Sequence, residues 1–129
     1  METLLRAALI TWLDTDPALA AELNIVTEET PARAHAPWLG IAASQSADWS
    51  MKDRKGREVR IALELHCRGD DPATAASLMG MIESRIEALP ASQSGLVIVN
   101  VLFMRSRAEQ RANNTRAILI EYRFRILTG

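Results

Sequence analysis

The chain has 129 residues, room for one domain but not for two with cores of useful size. Apolar residues make up 48% and charged residues 24%, which excludes wholesale disorder, and no apolar run approaches the ~18 residues that cross a bilayer as a helix. A net charge of −1 argues against a general nucleic-acid binder, which carries a clear basic excess.

The start, Met1-Glu2-Thr3-Leu4-Leu5-Arg6, lacks the basic opening and long apolar stretch of a signal peptide. Cys67 is the single cysteine, so no internal disulfide can form and an intracellular origin is expected. Of the 15 basic residues, 13 are arginine. A GC-rich, Ala-rich coding bias accounts for that, and so do guanidinium forks pairing bidentately across interfaces; the two can hold together.

Residues 3 to 14 predict a helix, with Leu5, Ala8, Leu9, Trp12 and Leu13 at helical spacing. Asp16-Pro17 restarts the chain as N-cap and first helical residue, giving a short helical turn through Leu23. Asn24 is expected to end it in the left-handed conformation, with Ile25-Val26-Thr27 extended. Pro31 and Pro37 bracket a loop, and Trp38 to Ala43 has the apolar density of a short buried strand. Residues 44 to 57 are polar and hold the only two lysines, so they read as a loop or an extended hairpin projecting from the body.

Arg57 to Arg68 is the clearest strand. Val59, Ile61, Leu63, Leu65 and Cys67 face one way, and Glu58, Arg60, Glu64, His66 and Arg68 the other. Asp71-Pro72 repeats the cap-and-proline start, and the helix runs to about Leu89 before Pro90. Its stripe of Ala75, Leu78, Met79, Ile82, Ile86 and Leu89 is one face wide and covers something flat. Gly80 within it suggests close approach to a neighbouring element. Ser94-Gly95 turns into a strand from Leu96 to about Arg107, and Asn113-Asn114 turns into a last one from Thr115 to Leu127. There Ile118, Ile120, Tyr122, Phe124 and Ile126 alternate with Leu119, Glu121, Arg123 and Arg125.

The expected fold is therefore α+β, an antiparallel sheet of about four to five strands with helices packed on one face. A dozen residues per final strand reach roughly 40 Å, more than such a domain needs, and overhanging strands offer edges for neighbours to pair with.

No phosphate-cradling loop, nucleophile elbow or paired Cys/His spacing is present. His35 and His66 lie far apart, and His66 and Cys67, adjacent on a strand, face opposite sides. Cys67 shares the apolar phase and reads as a buried structural thiol. Asp70-Asp71 suggests a divalent cation only weakly, since capping accounts for Asp71; Glu28-Glu29 reads as a solvated pair. No catalytic residue, metal site or cofactor is expected.

Interaction features remain. Trp49 and Met51 sit among Lys52, Asp53, Arg54, Lys55 and Arg57. Either Trp49 folds back as a lid over the core, or it is an aromatic anchor flanked by basic residues, a mixture enriched at interface hot spots. Arg105 and Arg107, with Arg111 and Arg116 around the final turn, form either a solvated hairpin tip or a docking surface or DNA-facing ring lining.

Taken in order, these residues resemble the tail completion (tail terminator) proteins of long-tailed bacteriophages and gene transfer agents. The likeness covers nearly the whole chain. It runs from the N-terminal helix and Asp16-Pro17-Ala18-Leu19-Ala20, through Pro37-Trp38 and the polar insertion ending at Gly56-Arg57, to the strand Val59 to Leu65. The helix Ala73 to Leu89 and the closing Tyr122-Arg123-Phe124-Arg125-Ile126 complete it. Where the family's central strand often ends in an aromatic residue and Ser, this chain has His66-Cys67.

The resemblance implies a homo-oligomeric ring, typically a hexamer, that caps the tail tube, stops its growth and meets the head connector protein. DNA passes through the lumen without sequence-specific binding, and sheets of neighbouring subunits pair or pack around the pore. It implies a place in the tail of a virion or phage-like particle, assembled in the bacterial cytoplasm, with no membrane partner and no catalysis. Another head–tail connector component, a small ligand-binding α+β domain, and a regulator dimerising through its final strand are the alternatives.

Overall fold

A computed structural model describes residues 1–29, 31, 34–69 and 72–129. Helix α1 spans Glu2–Asp14 and buries Leu5, Leu9 and Leu13, one residue per turn on a single face. Trp12 closes that helix against the far end of the third: its Nε1 donates to the Arg85 carbonyl at 2.6 Å. Arg85 returns the bond to the Trp12 carbonyl at 2.8 Å and lays its guanidinium 3.3 Å over the indole.

Helix α2, Pro17–Glu22, begins where the Asp-Pro pair predicts, but the Asp16 side chain makes no capping bond. The start rests on the fixed φ of Pro17. Asn24 does not end the helix in the left-handed region, since Leu23 is already extended. Asn24 instead staples the next loop, its amide donating to the carbonyls of His35 and Ala36 at 2.8 and 3.2 Å. The loop enters the sheet through a cis Ala36–Pro37 bond.

Strand β1 is Ile25–Thr27, β2 is Trp38–Asp48 and β3 is Gly56–Arg68. Helix α3 is Pro72–Glu87; β4 is Ser92–Gln93, β5 is Leu96–Arg111 and β6 is Thr115–Thr128. They form one sheet in the order β1-β2-β3-β6-β5-β4. All neighbours are antiparallel except β1 and β2, whose connection returns the chain in the same direction with Ile25 beside Trp38. The sheet is thus six-stranded and mixed, rather than four or five antiparallel strands. Strand β1 is the stretch Ile25-Val26-Thr27 expected to be extended; the unexpected strand is β4, whose two residues are too few to show any alternation.

The polar stretch from Ser44 takes the hairpin form rather than the loop. Ser44 to Asp48 continue β2 and pair with Ile61 to Arg57, leaving only 49–55 as turn. Polarity there reflects an outer strand, and Ser44 is held by helix α1: it donates to Glu2 at 2.5 Å and accepts from Arg6 at 2.9 Å. That hydrogen bond to Ser44 is the main reason the Glu2 carboxyl titrates below its ordinary range.

The core lies between the sheet and the three helices. Val59, Ile61, Leu63, Leu65 and Cys67 of β3 face it beside Ile118, Ile120, Tyr122, Phe124 and Ile126 of β6, as the alternation predicts. Helix α3 adds Ala75, Leu78, Ile82 and Ile86. A buried aliphatic side chain of this kind contributes about 1.5–3 kcal/mol. Tyr122 reaches out of the core to donate its hydroxyl to Glu87 at 3.0 Å. Gly80 is exposed and has no neighbour where a Cβ would stand, so it allows no close approach. The expected cap at Asp71, and Asp70 beside it, lie outside the described residues.

Candidate interaction surface

The turn between β2 and β3 is tightly built. Gly56 closes it: an added Cβ there would lie 2.4 Å from the Trp49 carbonyl oxygen and 2.7 Å from Leu127. Ser50 donates to Asp48 at 2.6 Å and accepts from the Gly56 amide at 3.1 Å. The Lys55 carbonyl accepts from the Thr128 amide at 3.0 Å, and Arg54 donates to the Thr128 carbonyl. The turn is therefore fastened to the end of β6 rather than swinging free. Met51 is left 49% exposed at its tip, with Lys52, Arg54, Lys55 and Arg57 exposed around it.

Trp49 is half-buried, with the Arg125 guanidinium 5.5 Å from its ring. Arg125 lies on the sheet face that carries no helices, so Trp49 leans on that charged face and is no lid over the apolar core.

That helix-free face is a lattice of alternating charge. Register pairs Glu58 with Arg125, Arg60 with Arg123 and Glu121 with Arg105, and sets Glu64, His66, Arg107 and Glu109 on the same face in the neighbouring rows. Arg105 lies 3.0 Å from Glu121. Arg107 lies 3.2 Å from Glu109, and Arg111 3.1 Å from Glu64. Arg123 and Arg125 share Glu58 at 3.7 and 3.2 Å. Glu64, 7% exposed, also lies 3.3 Å from His66, whose ring stacks on Trp38 at 4.3 Å.

Most of these arginines thus meet carboxylates of their own chain. Arg105 and Arg107 keep about 70% of their side chains in solvent, and exposed pairs of this kind contribute about 0–1 kcal/mol.

Arg116 does not join them. It is paired in register with Cys67 and so falls on the helix side of the sheet. Cys67 is buried, and burial pushes its thiol up despite the opposing charge of Arg116. It is a packing residue, not a nucleophile. Among the described residues, no three His, Cys, Asp or Glu side chains gather as a metal would need.

Strand length predicted overhanging edges, but not which strands would carry them. Strand β5 exposes Val99, Leu102 and Phe103, large apolar groups whose non-alternating run hid which of them would be covered. Beyond Val97 its outer side has no strand partner among the described residues, because β4 pairs only with Leu96 and Val97. On the opposite side, β1 covers β2 only from Trp38 to Gly40. Both edge strands carry register irregularities, at Ile41/Ala43, Ile98/Asn100 and Phe103/Arg105, as bulged edges commonly do.

The fold has a close counterpart among solved structures. A chain from a structure described as the virion of a native gene transfer agent particle superposes with a TM-score of 0.83 and 21% identity, over 98% of this chain and 96% of that one. No curated protein matches the chain in sequence. The family model for tail completion protein gp17 matches residues 7–128, from the second turn of α1 to the end of β6, so this chain belongs to the tail completion protein gp17 family.

Proposed function

We propose that this protein is a structural component that finishes a phage or gene-transfer-agent tail. Copies of it form a ring, six in number, on the end of the tail tube, where the ring stops tube growth and receives the head connector protein. The observation that carries this reading is a chain matched almost end to end by a tail completion family whose long strands β2 and β5 are covered on their outer sides only at one end each by β1 and β4. Such edges favour joining to further copies.

On this reading the protein is not an enzyme, and it belongs to the particle, assembled in the bacterial cytoplasm. No helix among the described residues is long and apolar enough to cross a membrane.

The helix-free face lines the lumen. Arg105 and Arg107 stand in solvent there, but Glu58, Glu64, Glu109 and Glu121 are interleaved with the arginines. A mixed lattice keeps the field weak, so DNA can pass without being held; an uninterrupted basic lining would retain it.

The test is particle assembly with this gene deleted and restored. Deletion should give tubes of uncontrolled length that do not join heads, and restoring the gene should return joined tails of uniform length. Uniform, joined tails in the deletion would overturn the proposal.

A further inference from the structure

We infer that the 49–55 turn of one copy docks into the groove between α1 and the α3–β5 connection of the next, with Met51 as the inserted side chain, and that the free edges of β2 and β5 pair in the same contact. The inference rests on the ring reading and specifies how its subunits join.

The first observation is one of height along the sheet. Following the register across the strands, Ile41 stands level with Leu63, Ile120 and Ser106, and Asp48 stands level with Arg57, Ile126 and Ile98. Strand β1 covers the β2 edge only before Ile41, and β4 covers the β5 edge only before Ile98. The Ile98 amide is taken by the Ala91 carbonyl at 2.7 Å, so the edges are open over nearly the same stretch of the sheet, 41–48 on one side and 99–106 on the other. Rotation about an axis running along the strands keeps heights unchanged, so it brings one open stretch onto the other. Strands β2 and β5 also run in opposite directions, so the antiparallel alternation continues across the join.

The second observation is what stands just beyond those edges. At the Asp48 end of β2 is the Met51 turn. At the Ile98 end of β5 is a groove of about 480 Å³ whose walls include Leu4, Ala8, Trp12, Pro90 and Ser94. Turn and groove lie at one end of the sheet: the Thr128 amide bonds the Lys55 carbonyl and the Gly129 amide bonds the Gly95 carbonyl. Leu4, at the groove mouth, is 48% exposed, and Met51 is 49% exposed. An unbranched thioether suits an irregular apolar groove.

The third is charge. The turn carries Lys52, Arg54 and Lys55 against Asp53 alone. Helices α1 to α3 carry Glu2, Asp14, Asp16, Glu22, Glu83 and Glu87 on or beside them, against Arg6 and Arg85. Arg85 is already engaged with Trp12, and no basic residue lies in the last turn of α1 itself. A basic turn approaching this acidic layer is attracted, whereas two turns facing each other repel.

A head-to-tail contact of this kind has a distinctive test. Met51→Asp damages the turn and leaves the groove intact; Leu4→Arg damages the groove and leaves the turn intact. Both positions are exposed, so folding should survive, and circular dichroism with thermal melting confirms it. Native mass spectrometry of the full chain, alone and on tail tubes, reads the outcome. Wild type should form closed oligomers, and each variant alone should associate about 30-fold or more weakly, as loss of an interface anchor does. An equimolar mixture should give one-to-one heterodimers that cannot close, since one good turn meets one good groove.

If wild type forms rings and both variants form them equally well, this contact is wrong and the ring reading stands. Rings that persist in Leu4→Arg but no longer bind tubes would give the groove to the tube protein and overturn the contact. Wild type that stays monomeric both in solution and on tubes would overturn the ring reading, and the contact with it.

Discussion

Two glycine-to-alanine substitutions should change stability in opposite directions. At Gly56 the added methyl would stand 2.4 Å from the Trp49 carbonyl oxygen, 2.7 Å from Leu127 and 2.8 Å from the Ile126 carbonyl oxygen. Two of these are backbone atoms of the hairpin and of β6, so no side-chain rotation relieves the overlap. Overpacking at a tight site costs about 1–3 kcal/mol, and the backbone contacts place this one near the top of that range. At Gly80, exposed on α3 with nothing within 4 Å, alanine removes the helix penalty of glycine and should stabilise by about 0.5–1 kcal/mol.

An unfolding entropy of about 2.1 cal/mol/K per residue gives roughly 0.27 kcal/mol per kelvin for this chain. Gly56→Ala should then lower Tm by about 10 °C and Gly80→Ala raise it by about 2–4 °C. Urea unfolding and thermal melting at matched protein concentration read both. A Gly56→Ala melting point within a degree of wild type would refute the tight closure of the turn, and with it the rigid presentation of Met51.

Two further outcomes follow from the core. Burial, and then the hydrogen bond to Glu87, raise the Tyr122 hydroxyl above its ordinary value of 10.0. The folded state therefore keeps this proton where the unfolded chain releases it, so stability present below pH ~10 is lost progressively above it. Tyr122→Phe should flatten that alkaline loss in urea midpoints, and an unchanged slope would count against the assignment. Cys67, buried and with its thiol raised, should react with a thiol reagent only as the protein opens. The rate should rise steeply through the urea transition, and fast native labelling at neutral pH would contradict the burial.

The strands with one face in the core were legible because burial imposes a period of two. Val59 to Cys67 and Ile118 to Ile126 could be assigned to a face residue by residue. The spacing of Leu5, Leu9 and Leu13 marked α1 in the same way. The edge strands were less legible, for the same physical reason. Ser44 to Asp48 face little core, so their polarity left loop and extended hairpin both open, although they complete a ladder with β3. Strand β1 was recognisable from its β-branched residues, whereas β4, two residues long, is too short for any pattern.

The charged face was legible only as composition. Alternation put Glu58 and Arg125 opposite the core, but which guanidinium met which carboxylate depended on strand order and register. Arg116 shows the limit: grouped with Arg105, Arg107 and Arg111 by sequence proximity, it stands on the other side of the sheet. Met51 and its basic neighbours stood out in the sequence as a candidate interaction feature, while the groove proposed to receive them joins α1 to residues from Leu89 to Ser94 and exists only once the chain is folded.

The most direct test of the central claim is the position and copy number of this chain on purified tails. Electron microscopy of tails carrying a tagged chain, together with quantitative mass measurement, would supply both. The account predicts a single ring of six copies at the head-proximal end of each tube. Copies spread along the tube, or none on finished tails, would contradict it.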